Sequence, residues 1–422
     1  KQVVDYAIKM GHALNCSINR VSKNDRKNYF YPDLPKAYQI SQFDVPLCEN
    51  GYLDILVNGD VRRIGITRIH IEEDAGKLIH DDSFDGTLAD YNRCGVPLIE
   101  MVSEPDLRSA EEAKAYMEAI TNILLYLGIS DAKMQEGSVR ADVNVSVRPR
   151  GQKEFGTRTE MKNVNSIKFV MQAIENEAKR HIDVYENGGE IIQETRQFDP
   201  STGQTKVMRK KEFAHDYRYF PEPDLAPLVL SDDYLEAVRK EIPELPDDKK
   251  ERFVNKLGLT PYDAIVICEN KEVADFFEKA AAGHDAKKVA NWLMGDFFAM
   301  LNEKKLELKN SPVSAENLGR LVELVSKEVI NGKTAKEVFA LMVESGDNPE
   351  KIVEEKGLVQ VTDSGAIEAV IDEVLASAPD NVAAYKNGKQ GLFGWFVGQV
   401  MKASKGKANP GIVNKLLKEK LG

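Results

Sequence analysis

The chain has 422 residues and a formal net charge of −11 at pH 7; 42% of the residues are hydrophobic and 30% are charged. This length predicts two to four domains, and the acidic balance argues against non-specific coating of nucleic acid. The four cysteines have no short spacing, which excludes a C-x-x-C zinc site and favours a reducing cytoplasm, and no apolar run is long enough to span a bilayer.

The first 70 residues combine one helix pattern with strand patterns. Residues 2–15 repeat apolar side chains at helical spacing and predict an amphipathic helix, with no signal peptide before it. Residues 26–36 interleave basic residues with three aromatic residues, a pattern that either stacks on bases or packs a loop against a sheet. Asn58-Gly59 predicts a hairpin turn within residues 51–69.

An acidic strand end follows at residues 68–77. Alternation places Arg68, His70 and Glu72 on one face, and three consecutive acids then lead to Lys77. Carboxylate oxygens beside a lysine suit Mg²⁺ and phosphate, so we predict a functional role for Glu72. For His70 two interpretations stay open, a metal ligand or a hydrogen-bonded structural residue.

Two predicted helices flank the centre of this half. A polar, turn-rich segment at 90–100 is followed by a helix that Ser109 caps and that ends near Leu127. A longer helix begins after Ser166 and ends at Asn187-Gly188-Gly189.

Between these helices, residues 139–148 alternate small apolar side chains with polar ones. This period predicts a strand buried on one face, with polar side chains spaced about 7 Å apart on the other. After a turn at 148–152, residues 157–163 alternate again. We predict a β-hairpin that presents cations, carboxylates and amides, which either hold a phosphorylated ligand with its metal or form a solvated face with salt bridges.

Beyond residue 230 the alternation gives way to helical periodicity, with helix stops predicted at several prolines and glycines, among them Pro246, Gly332, Pro379 and Pro410. The predicted fold class is therefore α+β. We expect a mainly antiparallel sheet domain with flanking helices over 1–230, an all-α domain over 231–353, and a small helical module over 354–422. From Ala383 onwards there are eight lysines and one glutamate, a local charge of +7.

The common nucleotide-binding and hydrolase motifs are absent. Gly332-Lys333-Thr334 resembles the end of a phosphate-binding loop, but Lys327 stands where that motif requires glycine. No G-x-S-x-G, H-E-x-x-H or G-x-G-x-x-G sequence occurs. An ATP site would therefore have to come from the β-rich half.

Six polar segments resemble the GatB family of aspartyl/glutamyl-tRNA amidotransferase subunits: 26–36, 69–77, 90–106, 136–148, 160–166 and 216–225. Residues 396–410 resemble the family's C-terminal YqeY-like module. The family begins with a strand carrying a Glu-x-His metal-binding pattern, and we expect that part of the site to lie outside this numbering.

The resemblance implies an ATP-dependent enzyme that phosphorylates the side-chain carboxylate of Glu or Asp on mischarged tRNA and then amidates it. It implies ATP and Mg²⁺ as cofactors. It also implies a heterotrimer, in the cytoplasm or the equivalent organellar matrix, with an amidase subunit, which supplies ammonia, and a small third subunit. Residue type and strand face then suggest site residues. Glu72 is the preferred Mg²⁺ ligand, and further metal or catalytic candidates are Glu100, Asp142 and Glu160. The candidate phosphate contacts are Arg93, Arg140 and Lys162.

The lysine-rich tail is predicted to bind tRNA through Lys402, Lys405 and Lys407, with backbone amides at the start of the next helix adding to the phosphate contact. A solvated lysine face is the alternative. For the whole chain two other function classes stay open: an RNA-binding assembly protein without chemistry of its own, and a stand-alone ATP-dependent carboxylate–amine ligase.

Overall fold

The computed structural model describes residues 1–80, 86–210, 217–361, 363–404 and 406–422. The chain forms two compact units, Lys1–Pro246 and Asp247–Gly422. Within the described residues, no helix is both long enough and apolar enough to cross a membrane.

Unit 1 is built from strands with a few helices. Its helices are α1 (Gln2–Ala13), α2 (Ala110–Leu127), α3 (Ile167–Glu186) and α4 (Asp232–Lys240). Its strands are β1 (Ser17–Ile18), β2 (Val21–Ser22), β3 (Asp25–Asn28), β4 (Tyr38–Ser41), β5 (Cys48–Val57), β6 (Asp60–Glu73), β7 (Lys77–His80), β8 (Thr87–Asp90), β9 (Pro97–Ser103), β10 (Ala141–Val145), β11 (Thr159–Val164), β12 (Glu194–Asp199), β13 (Gln204–Lys210), β14 (Phe220–Pro221) and β15 (Leu228–Val229).

The first sheet has the order β1-β5-β6-β9 and is antiparallel throughout. Asn58 and Gly59 form the predicted hairpin turn between β5 and β6, with positive φ angles of 53° and 90°. Helices α1 and α2 cover one face, where Ile8, Ile66 and Ile120 share one apolar core. The α1 helix ends at Ala13, earlier than predicted, because Asn15 adopts a positive φ of 56°.

The second sheet has the order β10-β11-β12-β13, and α3 packs on it around Met161, Ala173 and Phe198. The predicted strand over 139–148 is shorter, Ala141–Val145, and the connection to β11 runs through residues 146–158. The predicted turn at 148–152 lies within this connection, where Gln152 N–H donates to Pro149 O (3.1 Å). Strands β10 and β11 form the predicted antiparallel pair, and β11 also lies parallel to β12.

Three small sheets complete the described part of unit 1: β14-β3-β4, β15-β2 and β7-β8. The predicted caps of α2 and α3 are confirmed, since Ser109 accepts from the amide of Glu112 and Ser166 from that of Phe169. Helix α4 belongs to unit 1, and Lys9 pairs with Glu241 beside it (2.8 Å).

Unit 2 is helical, and residue 361 makes an isolated bridge to residue 408. Its helices are α5 (Pro246–Leu257), α6 (Pro261–Cys268), α7 (Lys271–Ala281), α8 (Ala286–Trp292), α9 (Phe298–Lys304), α10 (Ala315–Ser326), α11 (Gly332–Ser345), α12 (Pro349–Glu355), α13 (Ser364–Ser377), α14 (Pro379–Lys386), α15 (Leu392–Ala403) and α16 (Pro410–Leu421), with a π-helical turn at Leu293–Phe297 and a 3₁₀ turn at Leu308–Asn310.

Several positions predicted to stop helices begin them instead. Pro246, Pro379 and Pro410 open α5, α14 and α16, because proline needs no N–H partner in the first turn and has the required φ. Gly332 opens α11, which Asn331 caps. The α+β class with mainly antiparallel sheets is confirmed, and the division at residues 230 and 353 stays a prediction.

Candidate metal and phosphate site

A histidine and two carboxylates meet on neighbouring strands of the first sheet. His70 on β6 lies directly opposite Glu100 on β9, and Glu72 follows two residues later on the same face of β6. His70 Nε2 is 3.6 Å from Glu72 Oε2 and 3.9 Å from Glu100 Oε2. One donor atom from each residue lies within 4.8 Å of the other two, close enough for a shared divalent cation. We call these residues the carboxylate–imidazole cluster.

The inner members of the cluster are held by buried neighbours. Gln39 donates to Glu72 Oε1 (3.2 Å) and Ser41 donates to Glu72 Oε2 (3.4 Å), both from alternate positions of β4. Burial acts to raise the pKa of Glu72, but His70, Lys27 and Ser41 outweigh it, so the pKa lies below its usual value. An ionised carboxylate is the form that a metal ligand requires.

The cluster has one open side. His70 and Glu72 are buried, whereas the side chain of Glu100 is 43% exposed. Arg68 Nε donates to His70 Nδ1 (3.4 Å), and in this contact a neutral imidazole carries its proton on Nε2, which faces the carboxylates. A metal bound at Nε2 would require that proton on Nδ1 and would break the contact with Arg68. The sequence placed Glu72 and Glu100 among the metal candidates and left His70 open; the structure brings all three together.

Asp74 joins the two predicted phosphate-binding arginines. Its Oδ2 lies 2.9 Å from Arg93 Nε and accepts a hydrogen bond from Arg140 Nη2 at 2.8 Å. Asp74 is buried, while the Arg93 and Arg140 side chains are 39% and 41% exposed. The carboxylate thus holds two guanidinium groups whose outer edges face solvent, an arrangement suited to an anion.

The loop that carries Arg93 is fixed to the end of β6 by backbone contacts. Asp74 N–H donates to Val96 O (2.8 Å), and Gly95 N–H donates to Asp74 O (2.9 Å). Gly95 has a φ of 81°, a conformation that favours glycine. Sequence reasoning named Asp74 only as part of an acidic run and did not predict that it contacts Arg93 and Arg140. The available signal was its position two residues after Glu72, which period-2 alternation places on the same face.

The second sheet contributes a smaller charged group. Lys162 Nζ lies 2.7 Å from Asp142 Oδ2 and 3.3 Å from Glu160 Oε1, and Thr195 Oγ1 donates to Glu160 Oε2 (2.9 Å). Burial acts to lower the pKa of Lys162, but the two carboxylates outweigh it and raise the pKa. Asp142, Glu160 and Lys162, all predicted as site residues, therefore form one cluster in which Lys162 contacts both carboxylates. We call it the Lys162 group.

The tail lysines lie around the end of α15. Lys402 is exposed and Lys407 is half-buried, while Lys405 lies outside the described residues. The amides of Gly411 and Ile412 at the start of α16 both donate to Asn409 Oδ1 (2.8 and 3.1 Å). The prediction that amides at this helix start add to a phosphate contact is therefore wrong for these two groups, because the Asn409 cap already uses them.

Comparison with known proteins gives the same assignment over the whole chain. Residues 1–236 match the model of the GatB/GatE catalytic domain, and residues 275–421 match the GatB domain. A protein from Caldicellulosiruptor saccharolyticus, named as a subunit of aspartyl/glutamyl-tRNA(Asn/Gln) amidotransferase, is 56% identical over 100% of this chain and 88% of its own length. The protein of the same name from Geotalea uraniireducens is 58% identical over 100% of this chain and 89% of its own length. The chain belongs to the GatB family.

Proposed function

We propose that this chain activates the side-chain carboxylate of Glu or Asp on mischarged tRNA(Gln) or tRNA(Asn) and converts it to an amide. The carboxylate oxygen attacks the γ-phosphorus of ATP and releases ADP, which gives an acyl phosphate. Ammonia then attacks the acyl carbon and displaces inorganic phosphate. The observation that carries this proposal is the carboxylate–imidazole cluster beside the Asp74-bound arginines Arg93 and Arg140.

The donor set fits a divalent cation. Glu72 and Glu100 supply the oxygen ligands that Mg²⁺ prefers, and His70 supplies one nitrogen, which also suits Mn²⁺ or Zn²⁺. Mg²⁺ with ATP would neutralise charge that develops on the transferred phosphoryl group. Glu72, Glu100 and His70 would hold the metal, and Gln39 and Ser41 keep the Glu72 carboxylate in place.

The cationic side chains would position the phosphates. Phosphoryl transfer depends mostly on orientation and charge neutralisation. The exposed edges of Arg93 and Arg140 can each bind phosphate oxygens, and Lys162 offers a third cation once a ligand competes with Asp142. Asp142 and Glu160 would then orient Lys162.

The proposed partners supply what this chain does not. We propose a cytoplasmic heterotrimer with an amidase subunit, which releases ammonia from glutamine, and a small third subunit. Lys402 and Lys407, with Lys405, would bind the tRNA through its phosphates. The relatives are named as subunits of a larger enzyme, which supports a complex with other chains.

The test is amide formation on Glu-tRNA(Gln) and Asp-tRNA(Asn) with ATP, glutamine and the amidase subunit, repeated with ammonium chloride in place of glutamine. We expect one ADP per amide and activity that follows Mg²⁺ concentration; Mn²⁺ and Zn²⁺ titrations identify the preferred ion. A rate of ATP hydrolysis that does not depend on mischarged tRNA would contradict the proposal. Amidation of free glutamate would favour a stand-alone ligase, and tRNA binding without ATP turnover would favour an assembly protein.

A further inference from the structure

A basic loop with an exposed aromatic ring extends from the second sheet. Residues 146–158 connect β10 to β11, and from Arg148 to Arg158 they contain four cations and one glutamate, a local charge of +3 in an acidic chain. Phe155 within this loop is 54% exposed. An exposed ring among cations is a common feature of surfaces that bind a ligand or partner.

Two arginines flank this ring. The guanidinium carbon of Arg148 lies 4.7 Å from the Phe155 ring centre and that of Arg108, from the segment before α2, lies at 5.9 Å. Arg108 Nη1 donates to the carbonyl oxygens of Pro105 (2.6 Å) and Leu107 (2.9 Å), and Arg148 Nη1 donates to the carbonyl of Lys153. Backbone acceptors therefore hold both planar cations beside the ring.

The positive charge of this group is not neutralised by carboxylates. Within the residues that the structure describes, the five cations of this group form no ion pair; they are Arg108, Arg148, Arg150, Lys153 and Arg158. Elsewhere in unit 1 arginines commonly do, as Arg63 does with Asp54 (2.7 Å). Uncompensated cations beside an exposed ring indicate a polyanionic ligand with flat groups.

The loop has a defined conformation. Gln152 N–H donates to Pro149 O (3.1 Å), and the Gln152 side chain donates to Glu154 O (2.9 Å). Gly156 lies so close to the start of the loop that a Cβ there would come within 2.1 Å of Val147 O, so only glycine fits. The ring and its arginines are thus presented on a fixed support, which reduces the entropy lost on binding.

We infer that Phe155, Arg108 and Arg148 form a stacking platform for an unpaired base near the 3′ end of tRNA, with Arg150 and Arg158 contacting its phosphates. The inference rests on the proposed function for the identity of the RNA. A single-stranded nucleic acid combines base faces with closely spaced phosphates, and the proposed function makes it RNA. The loop begins at residue 146, about 13 Å along the strand direction from Asp142, so the platform and the Lys162 group are carried by the same two strands.

The test measures the affinity of the chain for two tRNA(Gln) transcripts, one complete and one that lacks its last four, unpaired nucleotides, without ATP. Phe155→Ala should weaken binding of the complete transcript about ten-fold, within the range for one stacked base. It should leave the shortened transcript unaffected, and Phe155→Tyr should restore binding. Tyr185→Ala, an exposed aromatic on α3 of the same unit, is the matched control and should change neither.

A salt series separates the two parts of the surface. Arg150→Ala and Arg158→Ala should each lower the slope of log affinity against log salt by about 0.7, the value for one phosphate contact on a single strand. Phe155→Ala should lower affinity without changing the slope. Lys179→Ala, which removes an exposed cation on α3, is the control for charge.

Two results would overturn the inference. The first is an equal loss of affinity for both transcripts with Phe155→Ala. The second is unchanged RNA affinity together with weaker binding to the amidase subunit, which would make the loop a protein interface. Binding is measured without ATP, so a failure of the proposed activation chemistry leaves this test intact. Loss of activation with normal end-dependent binding would count against the proposed function alone.

Discussion

The Asp74 carboxylate accepts a hydrogen bond of 2.8 Å from Arg140. Asp74 directly follows β6 of the first sheet, and Arg140 directly precedes β10 of the second, so this contact joins the sheets at the candidate site. Arg93 reaches the same oxygen from a loop (2.9 Å). One buried carboxylate thereby sets the positions of two cations that lie far apart in the chain.

Asp74→Asn should reduce kcat/KM for ATP at least ten-fold, because an amide cannot hold both guanidinium groups through charge. The free energy of unfolding should fall by only about 1–2 kcal/mol, since both arginines are partly hydrated. Steady-state kinetics and urea titration measure the two effects. Asp54→Asn, which breaks the exposed pair with Arg63 in the same sheet, is the control. If kcat/KM for ATP is the same in Asp74→Asn and Asp54→Asn, Asp74 does not position Arg93 and Arg140 for ATP.

Glu72→Gln should abolish ATP-dependent amidation and leave the fold intact, because the amide keeps the volume and loses the charge that a metal ligand needs. The glutaminase activity of the partner should survive better. Glu72→Ala should also inactivate, but it leaves a cavity against Gln39 and Ser41. Isothermal titration with Mg²⁺ or Mn²⁺ provides a readout without turnover. The control is Glu104→Gln, at an exposed residue at the end of the same sheet. Normal metal binding in Glu72→Gln would exclude Glu72 as a ligand.

Asp142→Asn and Lys162→Ala should impair activation more than tRNA binding, because their 2.7 Å pair lies on the second sheet and not in the lysine-rich tail. We expect tRNA-dependent ATP turnover to drop about ten-fold or more while tRNA affinity stays within about two-fold, because the loss of a charge-assisted contact to tRNA, worth about 1.5–3 kcal/mol, would weaken binding more than ten-fold. Lys206→Ala, on β13 of the same sheet, is the control. Strongly weakened tRNA binding with normal turnover per bound complex would assign this group to RNA recognition.

Glu177 gives unit 1 a predicted acid sensitivity. Burial acts to raise its pKa, but contacts from His181, Arg180, Thr205 and Thr159 outweigh burial and hold the pKa well below its usual value. The folded pKa is lower than the unfolded one, so the ionised form stabilises the fold fully above about pH 5, and this stability is lost as pH falls towards the folded pKa.

Glu177→Gln should therefore cost about 3 kcal/mol at pH 7, as expected when one member of a buried ion pair is removed. The difference from the wild type should shrink by roughly 1–2 kcal/mol by pH 3, where the unfolded carboxylate has taken up its proton. Urea titrations at pH 7, 5 and 3 measure it. A difference that stays constant over this range would mean that the carboxylate is not ionised in the fold.

The tail is better tested by point variants than by truncation after residue 353. Contacts such as Gln360 N to Val329 O (2.7 Å) and Asn409 Nδ2 to Glu328 Oε2 (3.1 Å) cross that cut. Lys402→Ala with Lys407→Ala should raise KM for mischarged tRNA several-fold, with a smaller salt slope because phosphate contacts are lost. Lys304→Ala, at the end of α9, is the control. Unchanged tRNA affinity across a salt series would exclude these lysines.

Local patterns determined much of this protein. The Asn58-Gly59 hairpin, the capped helices after Ser109 and Ser166, and the polar face of β10 follow from turn chemistry, capping and period-2 alternation, which act over a few residues. The same alternation set Glu72 on a polar face, and the polar segments identified the family.

Only the tertiary structure decided which of these residues meet. The pairing of β6 with β9 brings His70 and Glu72 to Glu100, and the approach of β10 brings Arg140 to Asp74. Register between strands that are distant in sequence depends on how each sheet packs against its helices, and no local pattern encodes it. For the same reason the acidic run did not reveal Asp74 as the shared partner of two arginines.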